Sequence, residues 1–186
     1  MTDTTSIKGD FCSTLGAVYS LDWRSHEVIR YPDPPGVPLT LLPSPKDTLY
    51  VGGRFGTVLA YDSRMRRIRE AIHSAPVIAS LAHFGAGIVA GGMYKGRGSL
   101  EVFTHGERVY CNRSTVSTAA VLAVDARPTR VAVGGGQGAV RCFDAGLRRV
   151  VKEIRLDDCI TSMQSTADGL AMYIGLPSRL AHVAVS

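Results

Sequence analysis

A glycine followed by a strand-like segment recurs along this chain at intervals of about 40 residues, and this repeat limits the possible folds more than any other feature. The segments begin at four glycines: Gly16, Gly56, Gly98 and Gly138. Each has Val or Leu two residues after the glycine, and three of the four end in Asp six residues after it. A repeat of this length indicates a modular architecture in which each copy is one supersecondary unit that packs on its neighbours.

Each period divides into four short segments rich in Val, Ile, Tyr, Phe and Thr, which favour strands. In one period they are Val77–Phe84, Gly87–Gly91, Ser99–Thr104 and Arg108–Asn112, which we label strands a to d. Glycine pairs end strand b, as at Gly52–Gly53, and we expect tight turns with positive φ there. Four short antiparallel strands in each such period are typical of a β-propeller blade.

The turn and strand at Tyr50–Asp62, with the entry His73–Val77, resemble the WD40 propeller repeat. The likeness extends over residues 10–186, although Tyr61-Asp62 and Phe143-Asp144 stand where that family has Trp-Asp. The resemblance implies an all-β propeller fold. It also implies that the face carrying the b–c turns receives peptides or protein partners.

We therefore predict an all-β fold, a partial or small β-propeller of about four blades, each a four-stranded antiparallel sheet. A seven-blade ring at this period needs roughly 280 residues. The chain has only 186. The ring would be completed by a second copy or by another chain, or would close tightly with about four blades. The predicted divisions are an N-terminal tail 1–9, a half blade 10–36 with strands c and d, blades 37–74, 75–117 and 118–158, and an incomplete blade 159–186.

An alternative fold is an α/β nucleotide-binding enzyme. Gly134–Gly138 fits part of a dinucleotide-binding fingerprint, which requires a helix immediately after it. Ser63–Ile72 has helical spacing of its apolar residues, and Val150–Ile154 is ambiguous. The segment after Gly138 is β-branched and aromatic, which favours a strand and a tight turn.

Two sets of side chains are candidate binding sites. The predicted b–c turns carry aromatic and basic residues that commonly anchor protein interfaces: Arg54, Phe55, Met93, Tyr94, Lys95 and Arg97. The predicted c–d hairpins carry arginines that could bind phosphate or nucleic acid: Arg24, Arg64, Arg66, Arg67, Arg148 and Arg149. A formal net charge of +5 is compatible with an acidic partner.

Signals of catalysis are missing from the sequence, and we predict no catalytic residue, cofactor or metal site. The five histidines lack the spacing of metal ligands, and the four cysteines are scattered without a CxxC pair. The longest apolar run, Ala119–Val124, is too short to span a bilayer. We expect a non-enzymatic interaction scaffold in the cytoplasm or nucleus.

Overall fold

Antiparallel sheets account for all the regular structure among the residues that are described. The computed structural model describes residues 8–12, 16–23, 25–44, 47–62, 64, 67–113, 121–127, 129–166 and 168–184. These residues form 18 strands in five separate sheets, and no helix occurs among them. Accordingly, the described part of the chain contains no helix that could cross a membrane.

Three sheets have the full four strands, which are hydrogen-bonded in chain order from a to d. The first consists of β4 (Pro38–Ser44), β5 (Thr48–Gly53), β6 (Thr57–Asp62) and β7 (Arg67–His73). The second consists of β8 (Val77–Phe84), β9 (Gly87–Tyr94), β10 (Arg97–Thr104) and β11 (Glu107–Asn112). The third consists of β12 (Val121–Arg127), β13 (Arg130–Gly135), β14 (Ala139–Asp144) and β15 (Val150–Arg155).

The two end sheets have three strands each. The N-terminal one consists of β1 (Lys8–Cys12), β2 (Val18–Asp22) and β3 (Val28–Arg30), so it has one strand more than the sequence predicted. Its register makes these strands b, c and d, because β1 pairs along the whole of β2. The C-terminal sheet consists of β16 (Ser162–Ser165), β17 (Ala171–Gly175) and β18 (Leu180–Ala184), which are strands a, b and c.

The predicted fold class, an all-β partial propeller of about four blades, is confirmed. The helical alternative is wrong, because the described part of Ser63–Ile72 pairs with β6 as strand β7, and Val150–Ile154 pairs with β14. The dinucleotide interpretation of Gly134–Gly138 fails for the same reason, since strand β14 follows this turn. Ladder pairing with a buried neighbouring strand outweighs the short helical pattern in these segments.

The core lies between successive sheets. For example, Ile78 and Ile88 of the second sheet pack against Val58 and Ile72 of the first, all nearly inaccessible to solvent. Strand a of the four sheets that have one lines a channel of about 440 Å³, with polar side chains such as Ser80, Asp125 and Arg127 at its wall. This arrangement of sheets around a channel places the described b–c turns at one end and the described c–d hairpins at the other.

The glycine pairs at the end of strand b have a different role from the one predicted. The glycines of Gly52–Gly53 do not have positive φ and lie inside strand β5. A Cβ on Gly52 would lie 2.6 Å from Ile78 Cγ2, and one on Gly134 would lie 2.6 Å from Ile160 Cγ2. These glycines therefore allow the next sheet to approach closely. The turn residue with positive φ is Gly56, which follows the pair.

The repeated aspartate after strand c begins the c–d hairpin. Asp144 Oδ1 accepts hydrogen bonds from the backbone N–H groups of Arg148 and Arg149, at 2.9 and 3.3 Å. Asp62 and Asp22 accept equivalent bonds from Arg64 and Ser25, at 3.0 and 3.2 Å. The aspartate in the repeat thus supplies the acceptor that an open hairpin requires.

Candidate protein-interaction surfaces

The predicted protein-binding residues lie at the b–c turns of two adjacent sheets. Arg54 is exposed, and its backbone N–H bonds to the Val37 carbonyl oxygen at 2.9 Å. Phe55 is half-buried and packs on the core beneath the first sheet, where it covers the Cα of Gly53. Arg54 is thus available to a ligand, whereas Phe55 serves mainly in packing.

The segment Met93–Arg97, predicted as an insertion in the repeat, extends the β9–β10 hairpin. Arg97 pairs with Tyr94, so the turn consists of Lys95 and Gly96 alone. Both turn residues have positive φ, which is the geometry of a two-residue type I′ turn. The extension makes this hairpin longer than β5–β6 and exposes Lys95 and Arg97.

A buried carboxylate supports this hairpin. Glu101 of β10 is 1% exposed and lies between the first and second sheets. Arg113 Nη2 donates to Glu101 Oε1 at 2.9 Å, and Ser74 Oγ donates to Oε2 at 2.9 Å. Arg108 Nη1 lies 3.7 Å from Oε2. The carboxylate therefore ties the connection between two sheets to the end of strand β11.

Arg113 also contacts the candidate binding residues directly. Its guanidinium carbon lies 3.9 Å from the centre of the Tyr94 ring, and Lys95 Nζ lies 5.6 Å from the same centre. The hydrogen bond to Glu101 raises the pKa of the Arg113 guanidinium, which keeps it charged. One face of the Tyr94 ring is thus covered by a fixed cation. We call Arg54, Tyr94, Lys95, Arg97 and Arg113 the b–c surface.

Sequence reasoning missed Glu101, Arg113 and Ser74. The sequence signal that could have identified Glu101 is an acidic residue within an otherwise apolar strand. Glu101 has the register position that the apolar Leu59 has in β6. Cys111 pairs with Glu101 in the register but is exposed, and partial desolvation and then the nearby carboxylate raise the pKa of its thiol.

The described members of the predicted anion-binding set lie at the opposite end of the sheets: Arg64, Arg67, Arg148 and Arg149. Arg24 and Arg66 fall outside the described residues. Arg64 pairs with Asp47 at 2.7 Å, so its charge is partly compensated. Arg67, Arg148 and Arg149 are exposed and form no ion pair with a described residue, but their backbones belong to two separate hairpins. The described arginines of this set therefore belong to the hairpins of two different sheets.

The C-terminal sheet has an uncovered face. Leu180 in β18 has the register position of Val58, Leu100 and Val140, each 0% exposed beneath the following sheet. Leu180 itself is 68% exposed, and Tyr173 beside it is 46% exposed. Tyr173 and His182 form a ring pair on this side, with centroids 4.9 Å apart. We call Tyr173, Leu180 and His182 the forward face.

In the N-terminal sheet, the complementary side includes described residues that are partly exposed. Leu21 has the register position of Tyr61, Phe103 and Phe143, which are 0 to 2% exposed beneath the preceding sheet. Leu21 is only half-buried, and its neighbour Val28 in β3 is 57% exposed. We call Tyr19, Leu21 and Val28 the backward face.

The described residues include no cluster of three or more His, Cys, Asp or Glu side chains able to hold a metal ion. Cys111, Cys142 and Cys159 are free thiols, of which Cys142 is buried, and the Cys12 side chain lies outside the described part of the molecule.

Comparison with known proteins supports the fold. No protein-family model matches the chain, and no curated protein does. Many solved structures match, among them a chain in the crystal structure of a mitotic checkpoint complex, with a TM-score of 0.80 and 18% sequence identity. The match covers 100% of this chain and 63% of that chain. At this identity the likeness concerns the fold alone.

Proposed function

We propose that this chain is a non-enzymatic interaction scaffold, a WD40-like propeller arc that packs its end faces on further propeller sheets and binds a protein ligand on its b–c surface. The observation that carries this proposal is the exposure of Leu180, at a position that is fully buried in all three complete sheets. A side chain of this size gains roughly 2 kcal/mol when it is covered. The forward face therefore favours a covering sheet.

A second copy of this chain is the most direct source of the covering sheet. Within the chain, the forward side of each sheet packs on the backward side of the next, and the repeat gives all these surfaces one register. Among the described residues, Leu180 of the forward face and Val28 of the backward face are exposed, so two copies can pack head to tail. Such heterologous contacts form a ring if the rotation closes. Another chain with a propeller sheet would use the same two faces.

Replacing Leu180 by glutamate is expected to dissociate this assembly. A carboxylate at the centre of the forward face would have to be desolvated in the contact, which costs several kcal/mol and lowers the association constant at least a hundredfold. Sedimentation velocity at several concentrations measures the change. Leu170→Glu is the matched control, because Leu170 is 57% exposed in the β16–β17 turn, outside the forward face. Equal effects of the two variants would contradict the proposal.

The b–c surface is positively charged, and its exposed cations Arg54, Lys95 and Arg97 form no ion pair with a described residue. Their charge favours an acidic ligand segment, and the fixed Tyr94–Arg113 stack provides a rigid base for it. We infer that the protein ligand presents Asp or Glu residues to this surface.

Removing two of these cations is expected to weaken binding of an acidic peptide. Lys95→Ala with Arg97→Ala should reduce the affinity for a labelled Glu-rich peptide about fivefold, as expected for two exposed charge contacts. Fluorescence anisotropy at low salt measures this. Arg148→Ala with Arg149→Ala, at the opposite end, should leave the affinity unchanged. The reverse pattern would favour the alternative function, phosphate or nucleic-acid binding by the c–d hairpins.

A further inference from the structure

A pocket opens between the first and second complete sheets, at the end that carries the c–d hairpins. It has a volume of about 620 Å³, within the range of small-ligand sites. Ile72, Ile88 and Phe103 form its apolar floor, all at most 6% exposed. The β10–β11 hairpin borders it with the two-residue turn His105–Gly106, in which both residues have positive φ.

The neighbouring gap, between the second and third complete sheets, shows what fills such a space. There the β14–β15 hairpin is longer, and its residue Leu147 is 5% exposed in the core with Val89 and Val102. Leu147 inserts from the c–d hairpin, whereas the β10–β11 hairpin at the first gap is too short to supply an equivalent side chain. The pocket is therefore the space that an aliphatic side chain equivalent to Leu147 would fill.

The strand-d residue that faces the next sheet at this level also differs from one sheet to another. Tyr110 of β11 donates from its hydroxyl to the Leu147 carbonyl oxygen at 2.8 Å. At the same register position of β15, Lys152 Nζ donates to the Ala184 carbonyl oxygen of the next sheet at 3.2 Å. In the first gap this position is Glu70, which can only accept when ionised.

Among the described residues, the Glu70 carboxylate is the only acidic group that lines the pocket. It lies against the Cα of Gly106, where an added Cβ would overlap it. Glu70 forms no hydrogen bond or ion pair with any residue that the structure describes, and the other polar side chains that line the pocket are Ser44, Tyr50, His83 and His105. A carboxylate that has no partner among the described residues and lies beside an apolar floor is complementary to a cation attached to an aliphatic group.

We propose that this pocket binds a peptide segment in which a leucine-like side chain adjoins a positively charged residue. The aliphatic side chain inserts between the sheets as Leu147 does in the next gap, and Glu70 accepts hydrogen bonds from the cation. The site is separate from the end faces and from the b–c surface, so it can be tested independently of them.

A titration with the blocked tetrapeptide Gly-Leu-Lys-Gly, followed by the backbone amide NMR signals of Gly85, Gly87 and Gly106, tests the proposal. We expect saturable shifts with a dissociation constant on the order of 1 mM for so small an interface. Gly-Leu-Glu-Gly and Gly-Ala-Lys-Gly should each bind about tenfold more weakly, because each lacks one of the two contacts.

Two variants at exposed positions separate the parts of the site. Glu70→Gln should weaken Gly-Leu-Lys-Gly about tenfold and abolish its preference over Gly-Leu-Glu-Gly, whereas Glu107→Gln, outside the pocket, should have no effect. Ala86→Phe, in the exposed β8–β9 turn, should fill the pocket and abolish the shifts while preserving the rest of the spectrum. Equal binding of the Lys and Glu peptides, or shifts unaffected by Ala86→Phe, would overturn the proposal, as would absent shifts at about 10 mM peptide.

Discussion

Replacing Arg113 by methionine is expected to lower the free energy of unfolding by about 2 kcal/mol, because the buried Glu101 carboxylate loses its closer cation and keeps only the Ser74 hydroxyl and the more distant Arg108. Removing one partner of a fully buried pair costs more than this. The Arg113 side chain, however, is 32% exposed, and water recovers part of the loss. Urea denaturation measures the change as a shift of the midpoint by about 1 M. Arg97→Met, on the exposed turn nearby, should change the midpoint little.

A double variant tests whether Arg113→Met lowers the free energy of unfolding through the buried Glu101 carboxylate. Glu101→Leu with Arg113→Met places at position 101 the residue type that Leu59 provides in β6, and removes both charges. Because an apolar replacement of a whole buried pair is often neutral, we expect the double variant to recover at least half of the lost stability. A double variant less stable than Arg113→Met alone would contradict this account of the cluster.

Replacing Gly92 by alanine is expected to cost about 3 kcal/mol of stability, at the upper end for overpacking. Its Cβ would overlap the backbone carbonyl oxygen of Val77 in β8, which cannot move aside as a flexible side chain can. A Cβ on the equivalent Gly53 would overlap the Val37 carbonyl oxygen in the same way. We therefore expect a similar loss of stability from alanine at either position.

Gly146→Ala is the matched control for this substitution. Gly146 does not have positive φ, and its added Cβ would have Arg148 Cγ at 3.8 Å as its nearest neighbour. We expect a change within about 0.5 kcal/mol for this exposed position. Equal urea midpoints for Gly92→Ala and Gly146→Ala would contradict the conclusion that Gly92 is required for the close approach of β8 to β9.

The repeat predicted most of the fold because strand propensity, turn residues and spacing agree in every period. The strand Val77–Phe84 was predicted with the bounds that the structure has. The strand Lys8–Cys12 was missed, because Lys-Gly-Asp disfavours strands, and only pairing with β2 compensates for it.

The candidate sites were less accessible to sequence reasoning, because they depend on contacts between sheets. Tyr94 and Lys95 were identified from their turn, but the stack on Tyr94 comes from Arg113, which follows a different strand. The pocket at Glu70 is recognised by comparing Glu70 with Tyr110 and Lys152, which have the same register position in successive sheets. The sequence alone does not specify that register.

The solution mass of the unaltered chain, measured by sedimentation equilibrium over a range of concentrations, tests the central claim most directly. If the forward and backward faces pack head to tail, the mass will exceed 19.9 kDa and approach a whole multiple of it as concentration rises. A folded chain that remains at 19.9 kDa at every concentration would contradict the claim.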